Sequence, residues 1–195
     1  MSKREADGRN RTDRELVEGC IQGDRSCREL LYKRYFSYAM SVCIRYANDQ
    51  NEAMEIVNDS YMKVLDSLAG CDLSRSFKPW YGRVLINTAI DNYRKRKTFR
   101  EHLSETDIDG SEEVAPEIET ELSANEILDL YRHLPENYKV TFNLFEIEGY
   151  SHREIAEMLG VTESTSRSTL TRAKKMLREL YKNSLNSAKK SHEAI

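Results

Sequence analysis

The residues whose types and spacing could do chemistry are densest between Ser151 and Lys175. Ser151 and Glu154 stand at the three-residue spacing of a capping box, which opens a helix by reciprocal side-chain-to-backbone bonds. Ile155, Ala156 and Leu159 give that helix an apolar face, and Gly160 supplies the left-handed residue of a tight stop. Val161 should turn back into the core, and Thr162 should cap a second helix. That helix begins Glu163, Ser164, Thr165, Ser166, Arg167, Ser168. Helix, glycine turn, helix is the helix-turn-helix arrangement, whose second helix enters the DNA major groove. Short hydroxyl side chains allow close approach, and Ser, Thr and Arg reach base edges and phosphates. Glu163, Ser164, Ser166, Arg167, Ser168 and Thr171 are therefore expected at the DNA, with Arg172 and Lys175 nearer phosphates. Taken alone, the segment could also be a plain helical hairpin.

Two more constellations stand in the first half. Asn87 carries a donor and an acceptor on one amide and can read a base edge. It precedes by about two turns the run Arg94-Lys95-Arg96-Lys97, on a stretch that also holds Trp80 and Arg83. Basic and aromatic residues interleaved on one helix suit a single strand of nucleic acid. Farther back, Glu55, Asn58, Asp59, Met62 and Lys63 form a polar stripe opposite an apolar one. Met62 is its single apolar member and could anchor a partner.

Other chemistry is poorly provided for. Cys20, Cys27, Cys43 and Cys71 include no C-x-x-C pair, and His102, His133, His152 and His192 are scattered, so no metal is expected and the cysteines read as free, buried thiols. No cofactor is expected, because phosphate-binding, zinc-protease and nucleophile-elbow motifs are all missing. The sequence is read as that of a non-enzyme. No apolar run nears the roughly 20 residues that cross a bilayer, so no membrane insertion is expected. The opening MSKREADGRNRTDRE has no apolar core of a signal peptide. A cytoplasmic location is the expectation.

The elements that must position these groups are all helical. Residues 13–22 should form a short helix, Asp24 should cap a long one reaching Tyr46, and a third should run over 51–68 with Ala53, Ile56, Val57, Tyr61, Val64, Leu65 and Leu68 inward. Residues 70–76 read as a turn-rich loop, and Pro79 fits the first turn of the helix that carries Trp80 and Asn87. Helices over 124–133 and 136–147 should precede the helix-turn-helix. The expected fold is all-α, with two small helical domains joined by a flexible acidic linker.

Charge marks the boundaries. The net charge of −3 conceals segregation: residues 101–126 hold ten acids and neither Lys nor Arg, while the flanking blocks are both mildly basic. Self-repulsion should extend the acidic strip. The expected division is a disordered tail over 1–12, a domain over 13–100, a flexible acidic linker over 101–125, a second domain over 126–182 and a polar tail over 183–195.

With these residues in view, the chain resembles the extracytoplasmic-function (ECF) sigma factors of bacterial RNA polymerase, in the sigma-70 family. Leu134-Pro135, Glu148-Gly149, Ser151, Glu154-Ile155-Ala156, Leu159-Gly160-Val161, Ser168, Leu170 and Arg172-Ala173 match the pattern of region 4. NEAMEIVNDSYMKVLDSL is similar to the polymerase-binding helix of region 2, and SFKPWYGRVLINTAIDNYRKRK to its promoter-reading helix. The chain departs from that family at Asn58-Asp59, where Gln-Glu is frequent, at Ser166, where Val is, and at Thr169, where Arg is.

The resemblance implies a sigma factor that binds core RNA polymerase and directs promoter-specific initiation. Region 2 would be a helical bundle over 13–100, and region 4 the helix-turn-helix over 126–182. Glu55, Asn58, Asp59, Met62 and Lys63 would meet the β′ clamp helices. Trp80, Arg83, Asn87, Arg94, Lys95 and Arg96 would bind the −10 element, with Asn87 and loop 70–76 lining a pocket for an unpaired base. Glu163, Ser164, Ser166, Arg167, Ser168, Thr171, Arg172 and Lys175 would bind the −35 element, near the β flap. The implied partners are core polymerase, promoter DNA and an anti-sigma factor. The rival reading is a helix-turn-helix regulator acting on DNA without polymerase.

Overall fold

The computed structural model describes residues 11–72, 74–103 and 133–193. These are helices and short connections, with no strand among the described residues. Contacts divide the chain into two compact units, Met1–Arg96 and Lys97–Ile195. The expected tail over 1–12 lies almost wholly outside the described residues. So do the linker from residue 104 onward and nearly all of the helix over 124–133.

The first unit contains α1 (Asp13–Ile21), α2 (Arg25–Cys43), α3 (Gln50–Ser67) followed by a 3-10 turn over Leu68–Gly70, and α4 (Phe77–Leu103) as far as Arg96. Side-chain caps start the first three. Thr12 and Glu15 form a capping box at α1. Asp24 Oδ1 accepts from the Ser26 amide at 2.8 Å, and Asp49 Oδ1 from the Glu52 amide at 2.9 Å. Pro79 falls in the first turn of α4, as its missing N–H requires.

Apolar stripes meet in one core built on Leu16, Leu31, Ala39, Ile56, Val57, Val64 and Leu85. Tyr61 and Leu65, expected inward, are half-buried, and Ser60 is buried instead. Its hydroxyl donates to the Val57 carbonyl at 2.8 Å, so burial leaves no orphan. Gly82 lets α4 lie close against α2: a Cβ there would stand 2.7 Å from the Tyr38 hydroxyl. An aromatic cluster of Tyr35, Phe77 and Tyr81 fastens the start of α4 to α2, with Tyr35 edge-on to Phe77 at 5.0 Å.

The second unit contains α5 (Glu136–Phe142), a π-helical turn (Asn143–Ile147), α6 (His152–Leu159) and α7 (Glu163–Glu193). The π turn breaks the regular helix expected over 136–147. Its wider winding shows in the Glu148 amide, which donates to the Asn143 carbonyl five residues back at 3.0 Å. Val140 and Leu144 are buried there, while Tyr138, Phe142 and Phe145 are half-buried.

At the expected glycine turn, Gly160 adopts φ 65°, a left-handed conformation that side chains resist. α6 packs on α7, and Ile155, Ala156 and Leu159 of the one and Leu170 and Ala173 of the other are buried. Val161 is half-buried. Beyond Ala173 the long α7 outruns the eight-residue α6, so Met176, Leu177 and Leu180 stay half-covered among the described residues. The helices also overrun the boundaries read from charge. α4 continues to Leu103, and α7 to Glu193, where a tail from 183 was expected.

Candidate functional site

Three surfaces carry the groups singled out by sequence. The first is the outer stripe of α3. Glu55, Asn58, Asp59, Met62 and Lys63 are all exposed, with Met62 59% accessible. Two contacts organise the stripe. The Tyr32 hydroxyl of α2 donates to Asn58 Oδ1 at 2.9 Å, and Lys63 Nζ pairs with Asp91 of α4 at 2.9 Å. Beside them runs a groove of about 260 Å3 lined by Asp59, Met62, Lys63, Thr88, Asp91, Asn92 and Lys95. An apolar thioether ringed by alternating charges can accept a helix that brings its own charges and one apolar contact.

The second surface is the outer face of α4 with loop 70–76. Arg83, Asn87 and Arg94 are exposed and Trp80 is half-buried. Gly70, Asp72, Arg75, Ser76, Pro79, Trp80 and Arg83 line a pocket of about 290 Å3. The loop is held by Asp72, whose Oδ1 accepts from the Ser74 hydroxyl at 2.6 Å and the Ser74 amide at 3.0 Å. Those bonds keep the Asp72 carboxyl below its usual range. Arg75 Nε lies 3.3 Å from the same carboxylate. An indole wall with two guanidinium groups and loop dipoles suits one planar, unpaired base and its phosphate. Asn87 is not among the lining residues; it stands one turn beyond Arg83.

Two members of the expected −10 set face elsewhere. Arg96 reaches back to α3 and pairs with Glu52, the two side chains being only 19% and 15% accessible. Its Nη1 also donates to Asn92 Oδ1 at 3.0 Å. It fastens α4 to the start of α3, and its expected role at DNA is corrected accordingly. Lys95 lines the α3–α4 groove beside Asp59 and Met62. The cause is helical rotation: consecutive residues stand about 100° apart, so four cations in a row cannot share a face.

The third surface is the start of α7. The Thr165 amide donates to Thr162 Oγ1 at 3.1 Å, capping the helix as expected. Glu163, Ser164, Arg167, Ser168 and Thr171 are exposed, and Arg172 and Lys175 are half-buried. Arg167 is paired with Glu163 one turn back. Ser168 and Thr171 donate their hydroxyls to the carbonyls of Thr165 and Arg167, each at 3.0 Å, which leaves hydroxyl lone pairs outward. Lys174 pairs with Glu146 of the π turn at 2.6 Å.

Ser166 is the exception and a correction. It is 1% accessible, and its hydroxyl shares a 3.0 Å hydrogen bond with His152 Nδ1. A group on the inner face of α7 does not meet DNA. His152 itself escaped the sequence reading. Its ring stacks on Phe145 with centroids 4.4 Å apart and planes 22° apart. Burial, then the nearby Arg167 guanidinium, push its pKa below the usual histidine value.

The remaining chemistry-bearing groups are quiet. The four cysteines are free; Cys20, Cys27 and Cys43 are buried and Cys71 half-buried. Burial raises the Cys20 thiol to about 11 and Cys43 to about 12, which keeps them protonated and unreactive. Among the described residues no group of three His, Cys, Asp or Glu could hold a metal ion. No helix of the described residues is long and apolar enough to cross a membrane.

Two family patterns match the chain. The pattern described as "Sigma-70 region 2" matches residues 31–99, and "Sigma-70, region 4" matches residues 124–177. The chain is 29% identical over 183 residues to the ECF RNA polymerase sigma-E factor of Haemophilus influenzae, covering 85% of this chain and 93% of that protein. It is 32% identical over 133 residues to the RNA polymerase sigma factor SigV of Bacillus subtilis, covering 68% and 78% respectively. Among solved structures, an engineered region 2 of sigmaE in complex with GTAAAA matches with a TM-score of 0.43 and 30% identity, over 51% of this chain and 97% of that one.

Proposed function

Because the chain belongs to the ECF sigma factors of the sigma-70 family, and so is a non-enzymatic, DNA-binding factor that directs transcription initiation, we propose how its surfaces divide that work. The α3–α4 groove docks on the β′ clamp helices of core RNA polymerase through Glu55, Asn58, Asp59, Met62, Lys63 and Lys95. The outer face of α4 reads the −10 element: Arg83, Asn87 and Arg94 contact the strand, and a base leaving the stack enters the pocket between Trp80 and loop 70–76. In the second unit Ser164, Arg167, Ser168 and Thr171 read the −35 element, with Glu163 orienting Arg167, and Arg172 and Lys175 near phosphates. The β flap meets the second unit away from that face. The factor works in the cytoplasm, where an anti-sigma factor covering the groove would exclude polymerase.

The observation that carries this reading is the separation of faces on α4. One flank opens into a polar groove with an exposed methionine, while the other bears a base-sized pocket and exposed cations. A factor that holds polymerase and promoter together needs both at once. A helix-turn-helix regulator acting without polymerase would use α6 and α7 and leave the α3–α4 groove without a task.

Run-off transcription tests the proposal. Core polymerase with this chain should start at one point on the chain's own upstream region, and core alone should not. Specific binding to the same DNA by the chain without core, and no added initiation with it, would refute the proposal.

A further inference from the structure

We propose that His152 is the positioning residue that sets the reading face of α7, through the hydrogen bond that its imidazole shares with the buried Ser166 hydroxyl. The inference rests on the −35 reading above and adds how the reading helix is held.

The geometry is a three-way junction. His152 is the first residue of α6, its ring lies on Phe145 of the π turn, and its Nδ1 is 3.0 Å from Ser166 Oγ on α7. One imidazole on α6 thus touches both the π turn and the reading helix. Ser166 lies on the same inward stripe as Leu170 and Ala173, one turn nearer the DNA-facing end. Apolar packing at those two positions is non-directional and tolerates small rotations of α7. A hydrogen bond does not, because it weakens steeply as its angle bends. A buried hydroxyl is also costly when unpaired, so the pair resists parting. Arg167 follows Ser166 directly, and bidentate reading of a base fails with small misplacement. At this inward position the chain has a small buried hydroxyl, and the imidazole is the side chain bonded to it.

The test uses the full chain assembled with core polymerase on duplexes randomised over the −35 element. The reading is the ratio of affinity for the best sequence to that for a scrambled one. His152→Phe keeps the stack on Phe145 and removes the nitrogen; Ser166→Val removes the hydroxyl. Each substitution alone should lower the ratio, His152→Phe by about tenfold, a single well-made base contact. The double variant should lower it no further than the larger single effect, because all three variants lack the same one bond. The inference is overturned if His152→Phe lowers only the melting temperature and keeps the full ratio, or if the two effects simply multiply. Should His152→Phe not fold, Ser166→Ala gives the same comparison, and an undiminished ratio overturns the inference. A wild-type holoenzyme with no −35 preference would overturn the −35 reading and this inference together, whereas an intact wild-type preference kept by the variants overturns this inference alone.

Discussion

Replacing Arg96 by Ala should unfold the first unit more readily without acting first at DNA. Arg96 and Glu52 are 19% and 15% accessible, and the guanidinium also binds Asn92. Removing one partner of a fully buried pair costs about 3–5 kcal/mol, because the other charge is stranded. Here water still reaches both side chains, so about 2 kcal/mol is the expected loss. A unit of this size shifts its melting point by roughly 4–8 °C per kcal/mol, so the midpoint should fall by about 8–16 °C. Trp80 is the sole tryptophan and lies in the first unit, so its fluorescence follows that unit alone. Arg94→Ala is the control. It removes an exposed cation on the face of Asn87, and it should shift the midpoint less than Arg96→Ala does while weakening promoter binding. Glu52→Gln should reproduce most of the Arg96→Ala shift, since it breaks the same pair from the other side. If Arg96→Ala left the Trp80 midpoint within about 2 °C of wild type and weakened DNA binding as Arg94→Ala does, Arg96 would be a DNA contact after all.

Asp59→Arg reverses a charge in the α3–α4 groove and should weaken holoenzyme assembly at least tenfold in a core-binding titration, with helicity unchanged; unaltered affinity would remove the groove from the polymerase interface. Arg167→Ala should cost about 1–3 kcal/mol of discrimination among −35 variants, whereas Arg172→Ala and Lys175→Ala should weaken all sequences alike and each lower the salt slope by about one, measured by fluorescence anisotropy across salt. Trp80→Ala and a shortened loop 70–76 should slow open-complex formation on duplex promoters, and Asn87→Ala should relax preference at one −10 position; permanganate footprinting and base-by-base substitution check both. Because the folded His152 pKa lies below its unfolded value, the stabilisation tied to its neutral form is present above about pH 6.5. It should be lost as pH falls through the lower folded value, with Arg167 and Lys174 opposing protonation and Glu163 favouring it. Denaturant titrations followed by NMR of the second unit should show that loss, and His152→Phe should abolish it.

Local signals made most of this fold legible. Thr12, Asp24 and Ser151 announce helix starts by the chemistry of their own side chains, and Gly160 announces a stop, so neither needs the rest of the chain. The stripe of α3 was equally plain, because a period near 3.6 separates Ile56 and Val57 from Glu55 and Asp59. Ser166 is legible from spacing alone: it stands four and seven residues before Leu170 and Ala173, and that places it inward however polar it is. Arg96 was obscured by its neighbours, since a run of cations reads as one patch until the helix is wound. His152 and the π turn lay beyond reach. The first acts across fourteen residues through Ser166, and the second is a change of winding that no local side chain announces. Charge placed the helix ends too early at both Leu103 and Glu193, because a solvated polar sequence can still continue a helix.

α4 has one further consequence, because it is a single unbroken rod. Trp80 and Arg94 are fourteen residues apart on it, about 21 Å at the rise of an α-helix. Stacked nucleotides advance about 3.4 Å each along a strand, so the rod spans roughly six of them. It therefore works as a gauge. The separation between the base taken into the pocket and the phosphate held by Arg94 is written into the length of the helix and not into any one contact. A one-residue insertion between Arg83 and Arg94 would turn the far end by about 100° and leave every individual side chain intact, yet no promoter could then satisfy both ends. Substitutions on this helix can retune which base is chosen, but the spacing of the element can drift only if the rod itself is rebuilt.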